Sequence, residues 1–195
     1  MSQPSPMTGP SKTRSAVISY LQQSFPSATR RADVVYYLYR KTTEEDLLER
    51  TMPGHTSLAA FASLIDKPLT VVAFTNDDPP DVIGYCSLFE VCGAPPKVRA
   101  SVCYCFMKKY HSTRMMMDAA VKATNIYFTS GISVLYGSIL ETNGQALSFA
   151  DSFGFSRMGL APDFYPGIGN AHLVFMTRDT FEYRWSRYLG HIRQE

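Results

Sequence analysis

The stretch from Leu140 to Gly159, LETNGQALSFADSFGFSRMG, constrains the fold more than any other part of this chain. It holds an apolar strand end, then Asn143, then a short amphipathic helix over residues 144–153, then Phe153-Gly154-Phe155 opening another strand. Asn is a favoured N-cap, because its side-chain oxygen accepts an otherwise unpaired amide of the first turn. A strand, a capped helix and a further strand, joined by almost no linker, predict helix packed on sheet.

The rest of the chain extends that pattern. Arg14 to Phe25 predicts a short helix on the spacing Val17, Leu21, Phe25. Asp33 to Tyr39 is rich in β-formers and predicts a first strand. Thr43 before Glu44, Glu45 and Asp46 predicts a helix start, since carboxylates favour the positive end of a helix dipole. Pro53-Gly54 breaks the pattern, and Ser57 to Ile65 predicts a second short helix. Leu69 to Thr75, Val82 to Val91 and Val98 to Met107 predict strands, separated by the turn chemistry of Asn76 to Pro80 and Gly93 to Pro96. Ser112 and Thr113 are caps for a helix whose apolar positions Met116, Ala119, Ala120 and Ala123 recur at helical spacing, ended by Gly131. Strands are predicted over 132–140, 155–160 and 171–177, with residues 161–170 as a loop. The fold class is α+β, a central mixed sheet flanked by helices.

Composition bounds the function. The chain has 195 residues, 45% hydrophobic and 18% charged, which suits one globular domain and argues against disorder. No apolar run approaches the ~20 residues of a membrane helix, and MSQPSPMTGPSKTR lacks the apolar core of a signal peptide. A cytoplasmic location and four reduced cysteines, Cys86, Cys92, Cys103 and Cys105, are expected. The spacings C-x5-C and C-x-C do not match paired zinc knuckles, so no metal is expected. Residues 97–122 carry Lys97, Arg99, Lys108, Lys109, Arg114 and Lys122 against Asp118. A basic segment inside a fold suggests an anionic ligand such as a phosphate-bearing cofactor.

The succession "strand, Asn143, x, x, Ala146, helix, Gly154-Phe155, strand" resembles the acetyl-CoA-binding half of the GNAT N-acetyltransferase superfamily. The resemblance is strongest from Val98 to Gly159 and implies a GNAT-like domain over 31–180. Residues 1–30 would then be a flexible or partly helical extension, and 181–195 an aromatic and basic tail packing on the domain. It implies that Phe106 and Met107 of the fourth strand lend backbone groups to the pantetheine arm. The loop after them, His111, Ser112, Thr113, Arg114, Met115 and Met116, would wrap the pyrophosphate at a helix N-terminus. Asn143 and Phe149 would complete the cofactor site. His111 takes the first position of the family's phosphate motif, while Arg114 and Met116 replace its two small residues. Glycine lets a backbone approach phosphate closely and these side chains do not. Either Arg114, Lys108 and Lys109 hold phosphate through their side chains, or the pocket no longer takes coenzyme A. The positive charge and the surviving caps favour binding.

The resemblance also implies a Tyr acid on the helix after Asn143, where this chain has Ala150, and an acidic base on the fourth strand, where Asp and Glu are absent from Val91 to Arg114. The catalytic residues are therefore open, with Tyr104, Cys105 and Ser152 as candidates and His111, Tyr110 and Tyr165 as further substitutes. Cys103 and Cys105 lie on one strand face; their plainer reading is a pair of small buried residues. The expected function is acetyl transfer from acetyl-CoA to a small amine or a protein acceptor, with a catalytically silent protein-binding module as the alternative. A membrane partner is not expected, the balanced charge of the Phe181 to Arg193 tail disfavours nucleic acid, and the fold admits a homodimer through its last strand.

Overall fold

The computed structural model describes residues 15–192. The elements are β1 (Ala16–Tyr20), α1 (Leu21–Ser24), α2 (Ala28–Glu44), α3 (Leu48–Thr51), α4 (Leu58–Ile65), β2 (Val71–Thr75), β3 (Val82–Cys92) and β4 (Arg99–Phe106). A 3-10 turn (Lys108–Tyr110) leads to α5 (Arg114–Thr129), β5 (Val134–Leu140), α6 (Gly144–Phe153), β6 (Ser156–Tyr165), β7 (Gly169–Thr177) and α7 (Arg178–Ile192). The seven strands form one sheet in the order β1-β2-β3-β4-β5-β7-β6. Every pairing is antiparallel except β4 with β5, which is parallel. The sheet is thus mixed and flanked by helices, as the sequence predicts.

Alternation along the strands sends side chains to two cores. On one face Ile83, Cys86, Leu88, Ala100, Phe106 and Leu135 pack against α5, α6 and α7. On the other, Val72, Tyr85, Cys103 and Cys105 pack against α1 to α4. Gly84 lets β3 and β4 approach at this seam, because a Cβ there would stand 2.2 Å from the Cys105 carbonyl oxygen.

Four expectations are corrected. The helix expected over Arg14 to Phe25 is helical only at α1 (Leu21–Ser24), while Ala16–Tyr20 is β1, at the sheet edge beside β2, so part of the expected flexible or partly helical extension, residues 1–30, belongs to the sheet. Its first residue is clamped from α5, since the Ala16 amide donates to Asp118 at 2.5 Å and Lys122 donates to the Ala16 carbonyl at 2.8 Å. That contact lies far away in sequence, where local periodicity carries no trace of it. The strand expected over Asp33 to Tyr39 is instead the middle of α2. Val35, Leu38 and Thr42 bury at helical spacing, while Tyr36 and Tyr37 stay exposed at 51% and 40%. Packing on the α4 core overrides the β-preference of a Val-Val-Tyr-Tyr run. Thr43 lies in the last turn of α2 rather than at a helix start, its hydroxyl bonded to the Tyr39 carbonyl at 2.8 Å. Residues 161–170 are not a loop: β6 continues to Tyr165 and β7 begins at Gly169, with Tyr165 paired to Gly169.

The remaining elements fall close to where they are expected. Ser57, Thr113 and Asn143 each cap a helix through a side-chain oxygen. Gly154 closes α6 in the left-handed conformation at φ 111°. The aromatic tail is α7, tied to α6 by Phe181, 1% exposed, and by Trp185, whose ring N–H donates to the Phe153 carbonyl at 3.0 Å. Residues 1–14 of the expected flexible or partly helical extension lie outside the described residues.

Candidate functional site

Strands β4 and β5 run parallel, but only Arg99, Ala100 and Ser101 of β4 pair with Val134, Leu135 and Tyr136 of β5. Beyond Ser101 and Tyr136 the two strands part, although β4 continues to Phe106 and β5 to Leu140. The gap opens toward the ends of both strands, where α5 and α6 begin. The Met107 amide donates to Ile83 of β3 at 2.9 Å. Backbone groups alternate along a strand, so the polar groups of Phe106, and of Tyr104 two residues earlier, face the gap.

Two helix N-termini thus stand at the mouth. A helix leaves its first amides unpaired and its N-terminus partly positive, which suits an anion. At α5, Thr113 takes the Met116 amide at 3.1 Å. The amides of Ser112, Arg114 and Met115 have no protein acceptor among the described residues. Ser112 is exposed in the left-handed region at φ 60°, which turns the chain into the helix. Arg114 is exposed and carries no ion pair among the described residues. Met116, 8% exposed, points into the α5-side core, so its bulk does not shield the amides, and Met115 packs half-buried beside it. Of the two lysines before the helix, Lys109 pairs with Asp81, whereas only the backbone amide of Lys108 is engaged, donating to Glu45 at 2.5 Å.

The mouth is also bridged. His111 places Nε2 2.7 Å from the Phe106 carbonyl oxygen and Nδ1 2.7 Å from the side-chain nitrogen of Gln145 on α6. Nε2 therefore donates to the carbonyl and Nδ1 accepts from the amide. Asn143 caps α6 by accepting from the Ala146 amide at 3.1 Å and donates to the Arg50 carbonyl at 3.2 Å. Gln145 was not foreseen; nothing near it in sequence marks it, and only the splay brings it to His111.

On the α5 side, aromatic rings fill the gap. Tyr104 lies 5.9 Å from Phe149, 5.9 Å from Phe153 and 6.2 Å from Phe155, centroid to centroid. Its hydroxyl is bonded to Thr124 at 2.7 Å, and burial holds its pKa well above the ordinary phenol range. Tyr104 thus stays protonated at neutral pH.

The gap belongs to a cleft of about 920 Å³ that reaches both faces, bordered on the α5 side by Tyr104, Phe149, Ala150 and Phe155 and widening toward the α1–α4 side. Its floor includes Ser101 and Cys103 of β4, Tyr136 and Ser138 of β5, and Leu173 and Phe175 of β7. Residues 50–53 and His55 flank it, and Phe164 and Tyr165 of β6 overhang it. Two polar pairs break the apolar lining. The Ser138 and Tyr165 hydroxyls are 2.7 Å apart, and the Tyr136 hydroxyl donates to Glu90 at 3.1 Å. Burial is the first cause that raises the pKa of both tyrosines, so both remain protonated donors near neutral pH.

The three catalytic candidates separate. Tyr104 lines the cleft. Cys105 does not: on the same strand face as Cys103 it is 1% exposed within the α1–α4 core, and burial pushes its thiol up to about 11. Cys103 lines the cleft, its thiol raised further by the same cause and directed at the Thr51 carbonyl 3.9 Å away. Neither thiol supplies thiolate at neutral pH, so both match the plainer reading of small buried residues. Ser152 is exposed on α6, donates to the Phe149 carbonyl at 2.9 Å, and is not among the cleft residues. Among the described residues no cluster of His, Cys, Asp and Glu could hold a metal ion, and no helix is long and apolar enough to cross a membrane.

No family model matches the chain, and no curated protein matches it. Solved structures do. The ribosomal-protein-S5-alanine acetyltransferase from Vibrio fischeri superposes with a TM-score of 0.63 at 13% identity, over 85% of this chain and 94% of its own. The spermidine N-acetyltransferase from Vibrio cholerae, in complex with CoA and spermine, gives 0.63 at 12% identity over 85% and 97%. A GNAT-family acetyltransferase from Bacillus anthracis gives 0.62 at 10% identity over 85% and 96%. The chain has the GNAT acetyltransferase fold.

Proposed function

We propose that this chain is an N-acyltransferase that moves an acetyl group from acetyl-CoA to a primary amine. The observation that carries the reading is the parting of β4 from β5 after three residue pairs, with the N-terminus of α5 at the open end. The chain's own groups suit the co-substrate. The free amides of Ser112, Arg114 and Met115, with the Arg114 guanidinium, would receive the pyrophosphate. The gap-facing backbone of Tyr104 and Phe106 would pair with the amides of the pantetheine arm, the His111 bridge yielding as it enters. Phe149 and Asn143 would border that arm. The acceptor would come from the α1–α4 side, where the cleft is open. The fold neighbours support the donor, since one of them holds CoA. Their acceptors differ, a ribosomal-protein alanine and spermidine, so they do not pass a common acceptor to this chain.

Chemistry in such a site rests on holding a neutral amine beside the thioester. A Phe106 amide aimed into the gap would polarise the thioester carbonyl as charge develops on its oxygen. The test is release of free thiol from acetyl-CoA in the presence of a broad amine and peptide panel. Acceptor-dependent release supports the reading, and its absence across the panel overturns it.

A further inference from the structure

Glu90 occupies a strained position at the end of β3. The register between β3 and β4 shifts between Phe89 and Cys92, and Glu90 takes φ 46°. A non-glycine residue in the left-handed region is strained and persists where its surroundings hold it. An irregularity of this kind re-aims a side chain. Here it turns the carboxylate onto the Tyr136 hydroxyl, 3.1 Å away. Tyr136 is the last β5 residue to pair with β4, so the carboxylate sits at the apex of the gap.

The charges around the cleft are lopsided. Among the described lining residues Glu90 is the one carboxylate, against the guanidiniums of Arg50 and Arg99. Arg50 is paired with Asp46, whereas Arg99 has no ion pair among the described residues. Around them stand Met52, Phe89, Phe164, Leu173 and Phe175. A polyamine or a lysine-rich peptide would satisfy one cation at Glu90 and bring its others against like charge or apolar surface. One ammonium on an apolar body meets the reverse: a carboxylate for its charge and aromatic rings for its carrier.

We propose that the α1–α4 side of the cleft takes a primary amine on an apolar body with no second positive charge, and that Glu90 receives its ammonium. The inference rests on the acyltransferase reading and adds the class of acceptor. Glu90, level with Ser101 by register and about five residues along β4 from the Phe106 amide, takes one proton from the ammonium through bridging water. The freed lone pair forms the C–N bond at the thioester carbonyl, the C–S bond breaks with its electron pair on sulfur, and the second N–H proton passes to that thiolate. The Tyr136 hydroxyl orients the carboxylate from below.

The test compares 2-phenylethylamine with spermidine on the full chain and on Glu90→Gln, which removes the charge at an exposed position and keeps the shape. Each amine is titrated calorimetrically without any thioester, and thiol release from acetyl-CoA is followed in parallel. The expected result is binding of 2-phenylethylamine in preference to spermidine, weakened at least tenfold in Glu90→Gln. Where turnover is seen, the acceptor KM rises and the acetyl-CoA KM does not. Preference for spermidine, absence of 2-phenylethylamine binding, or equal binding by Glu90→Gln overturns the inference. Separate titration with acetyl-CoA reads the acyltransferase proposal itself, so a chain that binds acetyl-CoA but prefers spermidine loses only the acceptor class.

Discussion

On the α5 side of the β4–β5 gap, Tyr104 is packed among Phe149, Phe153 and Phe155. On the α1–α4 side, its strand neighbour Cys103 and the nearby Ser101 line an open cleft with Tyr136, Ser138 and Glu90. One strand, alternating by residue, thus builds a packed wall on one face and a chemical surface on the other. The difference comes from what covers each face. Helices α5, α6 and α7 close over the first, while the short α3 and the turn at Pro53-Gly54 leave the second open. A wall of this kind can hold the gap apart while the opposite face exchanges ligands.

The largest expected effect breaks the wall. Phe153 is fully buried against Tyr104, Phe149, Phe155, Phe181 and Trp185. Phe153→Ala should cost about 3–5 kcal/mol in denaturant unfolding. The matching change across the gap, Phe164→Ala at a ring 44% exposed, should stay within about 0.5 kcal/mol and raise the acceptor KM instead. Equal stability losses would erase the distinction between wall and cleft.

A second effect reads the buried thiols of β4. Burial raises Cys105 from an ordinary 9.0 to about 11. In the unfolded chain the thiol loses its proton first, so the folded state holds more protons between these values and stability falls as pH rises from about 9 to 11. Two pKa units set the fall at roughly 2–3 kcal/mol. Melting curves across that range should steepen their decline, and Cys105→Ala should make it shallower by that share, Cys86 and Cys103 keeping theirs. Over the same exposure times at neutral pH, iodoacetamide should label the exposed Cys92 and spare Cys86, Cys103 and Cys105.

The smallest effect concerns the bridge at the mouth. Gln145→Ala removes the partner of His111 Nδ1 without touching the strands. Freed from a hydrogen bond worth about 1 kcal/mol, His111 should yield more readily, and acetyl-CoA should bind several-fold more tightly by calorimetry. Weaker binding would mean that the bridge shapes the site rather than crossing it.

How much of this was legible depends on the range of the interactions. The caps at Thr113 and Asn143 and the helix closed by Gly154 are local, the caps set by side-chain oxygens three residues from their amides, and they read directly, whereas Ser112, expected to cap beside Thr113, does not. The α2 segment misleads because Val34, Val35, Tyr36 and Tyr37 prefer strands in isolation, and a distant partner, α4, decides otherwise. Strand β1 depends on Asp118 and Lys122 more than a hundred residues away. In the site, the phosphate-loop positions and Asn143 follow from their order along the chain. Glu90 was hidden, since Phe89-Glu90-Val91 reads as plain alternation and only the register shift against β4 turns its carboxylate into the cleft. The positive charge of residues 97–122 was legible but overcounted: Lys109 is held by Asp81 and Lys122 by Asp118, which leaves Arg114 and Lys108 as the exposed cations near the helix start without an ion pair among the described residues.

The central claim is that the parted strands and the α5 N-terminus form an acetyl-CoA site. Its most direct test is calorimetric titration of acetyl-CoA into the full chain and into Arg114→Glu, a substitution at an exposed residue. Micromolar binding by the native chain, weakened at least tenfold in Arg114→Glu, is the predicted result. A folded native chain that takes no acetyl-CoA, or two proteins that bind it equally, would contradict the account.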